Sequence, residues 1–223
     1  MIITLDGPCG SGKSTLAQLL AEKLGFFYIN SGYLYRSLAH LLVSEFGYDE
    51  AALQAPNIEH VSFILHEDNF TYQYQDGIAR VFFKGNEITH HLKNSTVSHH
   101  ASLISAHVGV RQLIVPLQRT FGDMYNLISD GRDCGTEIYP HAQFKFYITA
   151  DLEIRAQRLQ ADLARKGIAI NFEEILQMTQ ARDIRDMTRT ISPLKKADDA
   201  IKIDTSHMTI DQLLETMLLV IQK

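Results

Sequence analysis

Short apolar segments alternate with amphipathic segments along most of the chain. Residues 2–5 form an apolar run that is typical of a buried parallel strand. The segment that follows carries leucines at helical spacing, namely Leu16, Leu19, Leu20 and Leu24. Gly25 then lies where a helix C-cap is expected. The pattern repeats, and it predicts a second strand over 26–29 and a second helix over 34–42.

The middle of the chain changes from helical spacing to strict alternation. Between residues 70 and 75, aromatic side chains alternate with threonine and glutamine, and Asp76-Gly77 follows. A second apolar run over 78–83 ends near Gly85-Asn86. Alternation interrupted by such dipeptides is typical of antiparallel hairpins. We therefore predict a small antiparallel β insert over about 60–93.

The rest of the chain returns to strands that alternate with helices. The pattern predicts strands over 127–129, 144–148 and 201–203, and helical segments over 95–121, 152–164, 172–189 and 210–221. Alternating elements of this kind predict an α/β fold, with a parallel sheet and helices on both faces.

Composition narrows the classes of protein that remain. The chain has 223 residues, 45% hydrophobic residues and a net charge of −5. It has no apolar run of membrane-spanning length and no signal-peptide pattern, so we expect no membrane partner. Two cysteines are too few for a disulfide framework and indicate a reducing, cytoplasmic location. Mild acidity argues against binding to a nucleic acid polymer.

Residues 7–15, GPCGSGKST, match the phosphate-loop pattern G-x-x-x-x-G-K-[ST] in full and lie between a predicted strand and a predicted helix. Glycines let successive N–H groups point at phosphate oxygens, and the helix N-terminus favours the same anion. Lys13 is expected at the β- and γ-phosphates of ATP, and Ser14 at Mg²⁺. The predicted ATP-binding residues are Gly7, Pro8, Cys9, Gly10, Ser11, Gly12, Lys13, Ser14 and Thr15.

Two polar segments allow both a functional and a plain structural interpretation. Asp130 ends an apolar strand, which fits an acid near magnesium, but a loop-capping role is nearly as plausible. Arg182, Arg185 and Arg189 share a predicted helix face, with Arg155 and Arg158 on the preceding helix. Clustered arginines favour anion binding, yet a solvated helix pair with salt bridges to Asp183 and Asp186 fits the composition equally well.

These segments together resemble the bacterial cytidylate kinase family over essentially the whole chain. The matching stretches are GPCGSGKST at 7–15, NSGYLYRS at 30–37, VSHHASLISAHVGVR at 97–111, DGRDCGT at 130–136, RDIRDMTR at 182–189 and SPLKKADDAIKIDT at 192–205. The resemblance implies a P-loop kinase core over about 1–30, 123–150 and 191–223. It further implies an acceptor-binding region over about 31–122 that contains the β insert, and an arginine-rich lid over about 151–190.

The resemblance also implies an activity and a set of residue roles. The reaction would be phosphoryl transfer from ATP with Mg²⁺ to CMP or dCMP, by a monomer, with Lys13, Arg155, Arg158 and Arg189 as the catalytic cations. Cytosine would meet Ser102, Arg111 and Asp133, and the acceptor phosphate would meet Arg36, Arg132 and Arg189. The ribose would meet Arg182 and Asp186, and Ser31 and Tyr35 would line the pocket.

The chain departs from the family pattern at one stretch. The family usually has an acidic residue and Thr at positions 30 and 31, and Ala and Met at 33 and 34. Here those positions hold Asn30, Ser31, Tyr33 and Leu34. Ser31 retains the hydroxyl, so we expect the same function with a different pocket wall.

Two other functions compete with this one. A P-loop kinase for another nucleoside monophosphate, or for a small alcohol such as shikimate, is the nearest, but the β insert and DGRDCGT argue against it. A signalling GTPase usually carries N-K-x-D, which this chain lacks.

A phosphate oxygen of the acceptor is already ionised at neutral pH, so the chemistry requires cations rather than a general base.

Overall fold

The computed structural model describes residues 1–165 and 167–222. Its helices are α1 Lys13–Leu24, α2 Ser31–Phe46, α3 Ile58–Leu65, α4 Ser95–Ile104, α5 Val108–Met124, α6 Leu152–Arg165, α7 Phe172–Thr188 and α8 Ile210–Ile221. Its strands are β1 Ile2–Asp6, β2 Phe27–Asn30, β3 Phe70–Gln75, β4 Ile78–Phe83, β5 Asn86–Glu87, β6 Leu127–Gly131, β7 Phe144–Thr149 and β8 Ile201–Asp204. Short 3₁₀ turns span Ala52–Gln54 and Thr89–Lys93, and a π-helical turn spans Cys134–Ile138.

The chain divides into two compact units. Unit 1 comprises Met1–Gly25 and Ile128–Lys223, and unit 2 comprises Phe26–Leu127. The predicted phosphate loop and lid lie in unit 1, whereas the acceptor-binding region predicted over about 31–122, with its β insert, lies in unit 2.

A parallel sheet forms the centre of unit 1. Its strands lie in the order β6-β1-β7-β8, and the pairs β1–β7 and β7–β8 are parallel. Ile3, Leu5 and Phe146 from β1 and β7 are almost fully buried, which explains why these strands read as continuous apolar runs. Carboxyl ends of parallel strands meet at one sheet edge, so the loops after β1, β6 and β7 lie together there. The predicted α/β class with a parallel sheet is confirmed.

The β insert is the predicted hairpin structure of unit 2. β3 pairs antiparallel with β4 from Phe70–Phe83 to Gln75–Ile78, and β4 pairs with β5. Asp76 and Gly77 both have positive φ values, as a tight hairpin turn between right-twisted strands requires. The Tyr72 hydroxyl accepts a hydrogen bond from the Asn30 N–H at 3.0 Å and donates to the Tyr28 carbonyl at 3.2 Å, so the insert is bonded to the end of β2.

Three boundaries differ from the sequence prediction. Strands of the insert begin only at Phe70, because Ile58–Leu65 is a helix that buries Val61 and Ile64 one turn apart and is capped by Asn57. The helical segment predicted over 95–121 is two helices, α4 and α5, with a break at residues 105–107. Helix α7 ends at Thr188, so Arg189 is its C-cap, with a non-helical ψ of 139°, and does not continue the face of Arg182.

No helix among residues 1–165 and 167–222 has the length and apolar character needed to cross a membrane.

Candidate active site

The phosphate loop joins β1 to α1 in unit 1, and its glycines lie where other residues would not fit. A Cβ on Gly7 would lie 1.9 Å from the Ile148 carbonyl oxygen, and one on Gly10 would lie 2.9 Å from the Arg155 carbonyl oxygen. Gly10 also has a φ of 75°, which residues with a side chain rarely adopt. The glycine pattern in the sequence therefore reflects close packing of this loop against β7 and α6.

Lys13 begins α1 and is buried, with its Nζ donating to the Pro8 carbonyl at 3.1 Å. Burial and the neighbouring Arg132 lower the pKa of this ammonium group to about 8. Ser14, the next residue, donates a short hydrogen bond of 2.5 Å from its hydroxyl to Asp130 at the end of β6. The hydroxyl and carboxylate predicted at magnesium are therefore in direct contact.

The two predicted lid arginines of α6 are bonded to the phosphate loop. Arg155 donates to the Cys9 carbonyl at 3.2 Å and forms an ion pair with Asp183 at 2.7 Å. Arg158 donates to the hydroxyl and the carbonyl of Thr205 at 2.9 and 2.7 Å, and that hydroxyl donates to the Ser11 carbonyl at 3.0 Å. Arg155 thus contacts the loop directly, and Arg158 does so through Thr205.

Three arginines of unit 1 are paired with carboxylates. Arg132 donates to Asp186 at 2.7 Å, Arg155 lies 2.7 Å from Asp183, and Arg189 lies 3.4 Å from Asp133. The salt bridges expected from the structural interpretation, to Asp183 and Asp186, are therefore present. Binding of CMP by four of these six residues stays a prediction. Burial raises the pKa of the Asp186 carboxyl, yet the charges of Arg132 and Arg182 outweigh it and hold that pKa below its usual range.

The remaining arginines of the α7 segment differ in surroundings. Arg182 is half-buried, and its Nε has no hydrogen-bond partner among the described residues. Arg185 is exposed to solvent, so it does not share the environment of Arg182 as the helical spacing suggested. An unpaired buried guanidinium N–H is costly and marks Arg182 as a donor available to a ligand.

Cys9 lies in the phosphate loop among cations. Burial raises the pKa of its thiol, but Arg182, Arg132 and Lys13 outweigh burial and lower that pKa below the usual value. Cys134, in contrast, is fully buried, and burial raises its pKa well above the usual value.

In unit 2, Arg36 on α2 contacts several neutral groups. It donates to the carbonyls of Gly32 and Leu92 at 2.9 and 3.2 Å, and to the Asn30 side-chain oxygen at 3.3 Å. Its guanidinium carbon also lies 4.7 Å from the centre of the Tyr33 ring, a cation–π arrangement. Asn30 further caps α2 by accepting from the Tyr33 N–H at 3.0 Å, so two of the unusual residues at 30–34 orient Arg36.

Arg111 on α5 is buried and contacts another predicted ligand. It donates to the Tyr35 hydroxyl at 3.0 Å and to the Ser105 carbonyl at 3.4 Å. The Ser102 carbonyl accepts from the Ser105 hydroxyl at 3.0 Å, which links Ser102 to the same short segment. Ser31 is the first residue of α2 and is buried.

Sequence reasoning missed two residues that connect these loops. Asp6 accepts hydrogen bonds from the Cys134 and Gly135 N–H groups, and Thr205 links Arg158 to the phosphate loop. Asp6 ends β1 and Thr205 directly follows β8, so both stand at carboxyl ends of strands. The rule that ligand sites lie at such ends is the signal that could have found them.

Sequence comparisons with known proteins agree on one family. The family model described as cytidylate kinase matches residues 3–223. A cytidylate kinase from Cupriavidus necator is 38% identical over 217 residues, covering 97% of this chain and 93% of that protein. Another from Aeromonas salmonicida is 38% identical over 218 residues, covering 97% and 92%. Among solved structures, shikimate kinase from Acinetobacter baumannii is similar at 18% identity, with a TM-score of 0.47 and 99% and 92% coverage.

Proposed function

The chain belongs to the cytidylate kinase family and phosphorylates CMP, and we propose that it transfers the γ-phosphoryl group of ATP to CMP and to dCMP. A phosphate oxygen of the acceptor forms the new bond to the γ-phosphorus, and the bond from that phosphorus to the β–γ bridging oxygen breaks. The products are CDP or dCDP, and ADP. The observation that carries this proposal is the network in unit 1, where arginines of α6 are bonded to a complete phosphate loop.

The ATP phosphates are bound by the loop residues and two arginines. The N–H groups of residues 7–15 surround the phosphates, and Lys13 neutralises the transferring group. Arg155 and Arg158 stabilise charge that develops during transfer. Their hydrogen bonds to the loop and to Thr205 support this assignment, because preformed contacts reduce the entropy lost on binding.

The donor set at Ser14 and Asp130 suits Mg²⁺. Magnesium prefers oxygen ligands and keeps several waters or substrate phosphates in its shell, so one or two protein oxygens are enough. Ser14 and Asp130 supply a hydroxyl and a carboxylate in contact with each other. When bound with ATP, the ion neutralises charge on the β- and γ-phosphates. Among the described residues, no cluster of three or more histidine, cysteine, aspartate or glutamate side chains could hold a metal ion.

Residues of unit 1 bind three parts of CMP. Asp133 meets the cytosine, Arg132 and Arg189 meet the phosphate, and Arg182 and Asp186 meet the ribose. Supporting this, Arg132 and Arg189 already hold carboxylates, which present the same paired oxygens as a phosphate. The unpaired Nε of Arg182 supports a further contact.

Residues of unit 2 contribute the remaining acceptor contacts. Arg36 meets the phosphate, Arg111 and Ser102 meet the cytosine, and Ser31 and Tyr35 line the pocket. The hydrogen bond from Arg111 to Tyr35 supports a joint role for that pair. The three neutral acceptors and the Tyr33 ring around Arg36 support a guanidinium that is oriented before the substrate arrives.

Phosphoryl transfer here requires positioning and charge neutralisation rather than proton abstraction. The attacking oxygen is ionised at neutral pH, because the second pKa of a phosphate monoester is about 6. Two polyanions must approach in line, and their repulsion is the barrier that Lys13, Arg155, Arg158 and Arg189 lower. That requirement explains why the assigned groups are cations.

We also propose a cytoplasmic location and a monomer. Both cysteines are free thiols, and free thiols are typical of a reducing compartment.

The decisive experiment is an assay coupled to ADP formation with CMP, dCMP, UMP, AMP and shikimate as acceptors. We expect fast, acceptor-dependent turnover with CMP and dCMP and much slower turnover with the others. ADP formation that does not depend on CMP, or an equal rate with shikimate, would contradict the proposal.

A further inference from the structure

Asp6 lies between the two loops to which ATP and CMP contacts are assigned. It is the last residue of β1 and directly precedes Gly7 of the phosphate loop. Its two carboxylate oxygens accept from the N–H groups of Cys134 and Gly135, at 2.8 and 2.7 Å. Those residues follow Arg132 and Asp133, so one buried side chain fixes the loop that carries both assigned CMP ligands.

These hydrogen bonds restrict the backbone of the loop that follows β6. Cys134–Ile138 is a π-helical turn, and the first N–H groups of a helical turn have no partner within it. Asp6 supplies those partners from another strand. A Cβ on Gly135 would lie 2.8 Å from the Thr4 hydroxyl and 3.4 Å from Asp6 Oδ2, so glycine allows the N–H to approach the carboxylate.

We propose that Asp6 is a positioning residue for CMP recognition, which holds the Arg132–Asp133 backbone in register with the phosphate loop. Asp6 itself touches neither substrate. The inference rests on the proposed function, because it requires the 132–133 segment to bind CMP. Substitution of Asp6 is therefore expected to impair the use of CMP more than the binding of ATP.

The charge of Asp6 depends on its surroundings in a way that provides a second test. Burial and, to a smaller extent, the nearby Asp133 raise the pKa of its carboxyl to about 6, although hydrogen bonds from Gly135 and Cys134 act to lower that pKa. Tyr147 lies opposite Asp6 on β7, and the Lys145 ammonium is turned toward Pro140 and Asp199. Protonation removes one of the two acceptors, so the loop loosens as pH falls through about 6.

The first experiment compares Asp6→Asn with Thr4→Val. Asparagine keeps the shape of the side chain but places an NH₂ group against a backbone N–H. Thr4 is a suitable control position, because it is buried two residues earlier and its hydroxyl lacks a hydrogen-bond partner among the described residues. We expect Asp6→Asn to lower kcat/KM for CMP about tenfold or more, with KM for ATP within about twofold, and Thr4→Val to change neither. Equal losses for both substrates would show a general structural role and overturn the inference.

Asp133→Ala, alone and combined with Asp6→Asn, separates this inference from the proposed function. If Asp6 acts through that loop, the double variant loses less than the product of the single effects. If Asp133→Ala greatly lowers kcat/KM for CMP and Asp6→Asn leaves it unchanged, the inference is overturned and the proposed function still stands. If Asp133→Ala leaves kcat/KM for CMP unchanged and Asp6→Asn lowers it without changing KM for ATP, another residue recognises the base. The inference then still stands, because Asp6 would act through Arg132.

A measurement on the unmodified protein covers the case in which Asp6→Asn does not fold. The amide proton resonances of Cys134 and Gly135, followed by NMR between pH 5 and 7.5, are expected to titrate together with an apparent pKa near 6. Resonances that do not change over this range would overturn the assignment of Asp6 as their acceptor.

Discussion

Carboxylates are among the partners of three arginines of unit 1, and neutral oxygens are among the partners of two arginines of unit 2. In unit 1, Arg132, Arg155 and Arg189 each contact a carboxylate. In unit 2, Arg36 and Arg111 donate to carbonyl, amide and hydroxyl oxygens. A guanidinium paired with a carboxylate must exchange that partner to bind a phosphate, whereas a hydrogen bond to a neutral oxygen orients a guanidinium without neutralising its charge.

The difference predicts that the two groups of arginines affect different kinetic constants. We expect Arg155 and Arg189 to exchange a carboxylate for a phosphate as charge develops on the reacting groups, because only interactions that strengthen in the transition state raise kcat. Arg36 and Arg111 are proposed to contact CMP and not the phosphoryl group that leaves ATP, so we expect them to contribute mainly to affinity for CMP.

The largest expected effect comes from Lys13, the cation of unit 1 whose Nζ donates to a carbonyl of the phosphate loop itself. We expect Lys13→Ala to lower kcat by about 10³-fold, because a positive charge at the transferring group is lost. Circular dichroism checks that the variant folds, and Lys195→Ala, at an exposed lysine, is the control. A variant that retains near-normal kcat would show that the loop does not take part in transfer.

Arg155→Ala and Arg36→Ala test whether arginines of unit 1 act on kcat and those of unit 2 act on KM for CMP. Arg155→Ala should lower kcat about 10²-fold with a small change in KM for CMP, whereas Arg36→Ala should raise that KM about tenfold with a smaller change in kcat. Steady-state kinetics with CMP varied at saturating ATP gives both constants. Similar changes in kcat and KM for the two variants would remove the functional distinction between the units.

The pKa of Lys13 predicts an alkaline limit. Because burial lowers it to about 8, the ammonium group loses its proton as pH rises through that value in the free enzyme. We expect kcat/KM for ATP to fall by up to about tenfold per pH unit above this point, since kcat/KM reports groups of the free enzyme. Bound phosphates favour the charged form, so kcat should hold to higher pH. A flat kcat/KM profile up to pH 9.5 would contradict the assignment.

The two thiols should differ in reactivity, which is the smallest effect expected. Cys9 has a lowered pKa and lies in the phosphate loop, whereas Cys134 is buried with a raised pKa. Iodoacetamide should therefore modify only Cys9, and ATP should slow that reaction several-fold. Peptide mass spectrometry over time measures it, and equal modification of both cysteines would be the contrary result.

Local patterns predicted the parts of the site whose role depends on nearby residues. The phosphate loop follows from glycines that allow close backbone contact, and the hairpin from Asp76-Gly77. Asp6 and Thr205 were missed because their hydrogen-bond partners lie 128 and 194 residues away along the chain. Helix α3 was missed because its eight residues present only two buried positions, too few for a clear period.

The role of Asn30 and Tyr33 was also beyond the sequence pattern. Both were recognised as unusual, but only the fold shows that Asn30 caps α2 and that both contact Arg36. The pairing of Arg132, Arg155 and Arg189 with carboxylates was similarly open, because spacing along the chain allows several partners and packing selects among them.

We propose that Asp133 selects cytosine over uracil, and the test is kcat/KM for CMP and UMP in the wild type, Asp133→Ala and Arg111→Ala. Cytosine offers an amino donor at position 4, where uracil offers an acceptor that an ionised carboxylate cannot satisfy. We expect the wild type to prefer CMP clearly, within the limit of about 10⁴-fold for such sites. Asp133→Ala should lower CMP activity and narrow the CMP/UMP ratio, whereas Arg111→Ala should lower both activities and preserve the ratio. A wild type that uses UMP as well as CMP would contradict the account, and an unchanged ratio in Asp133→Ala would move the selecting contact to another residue, with Ser102 next.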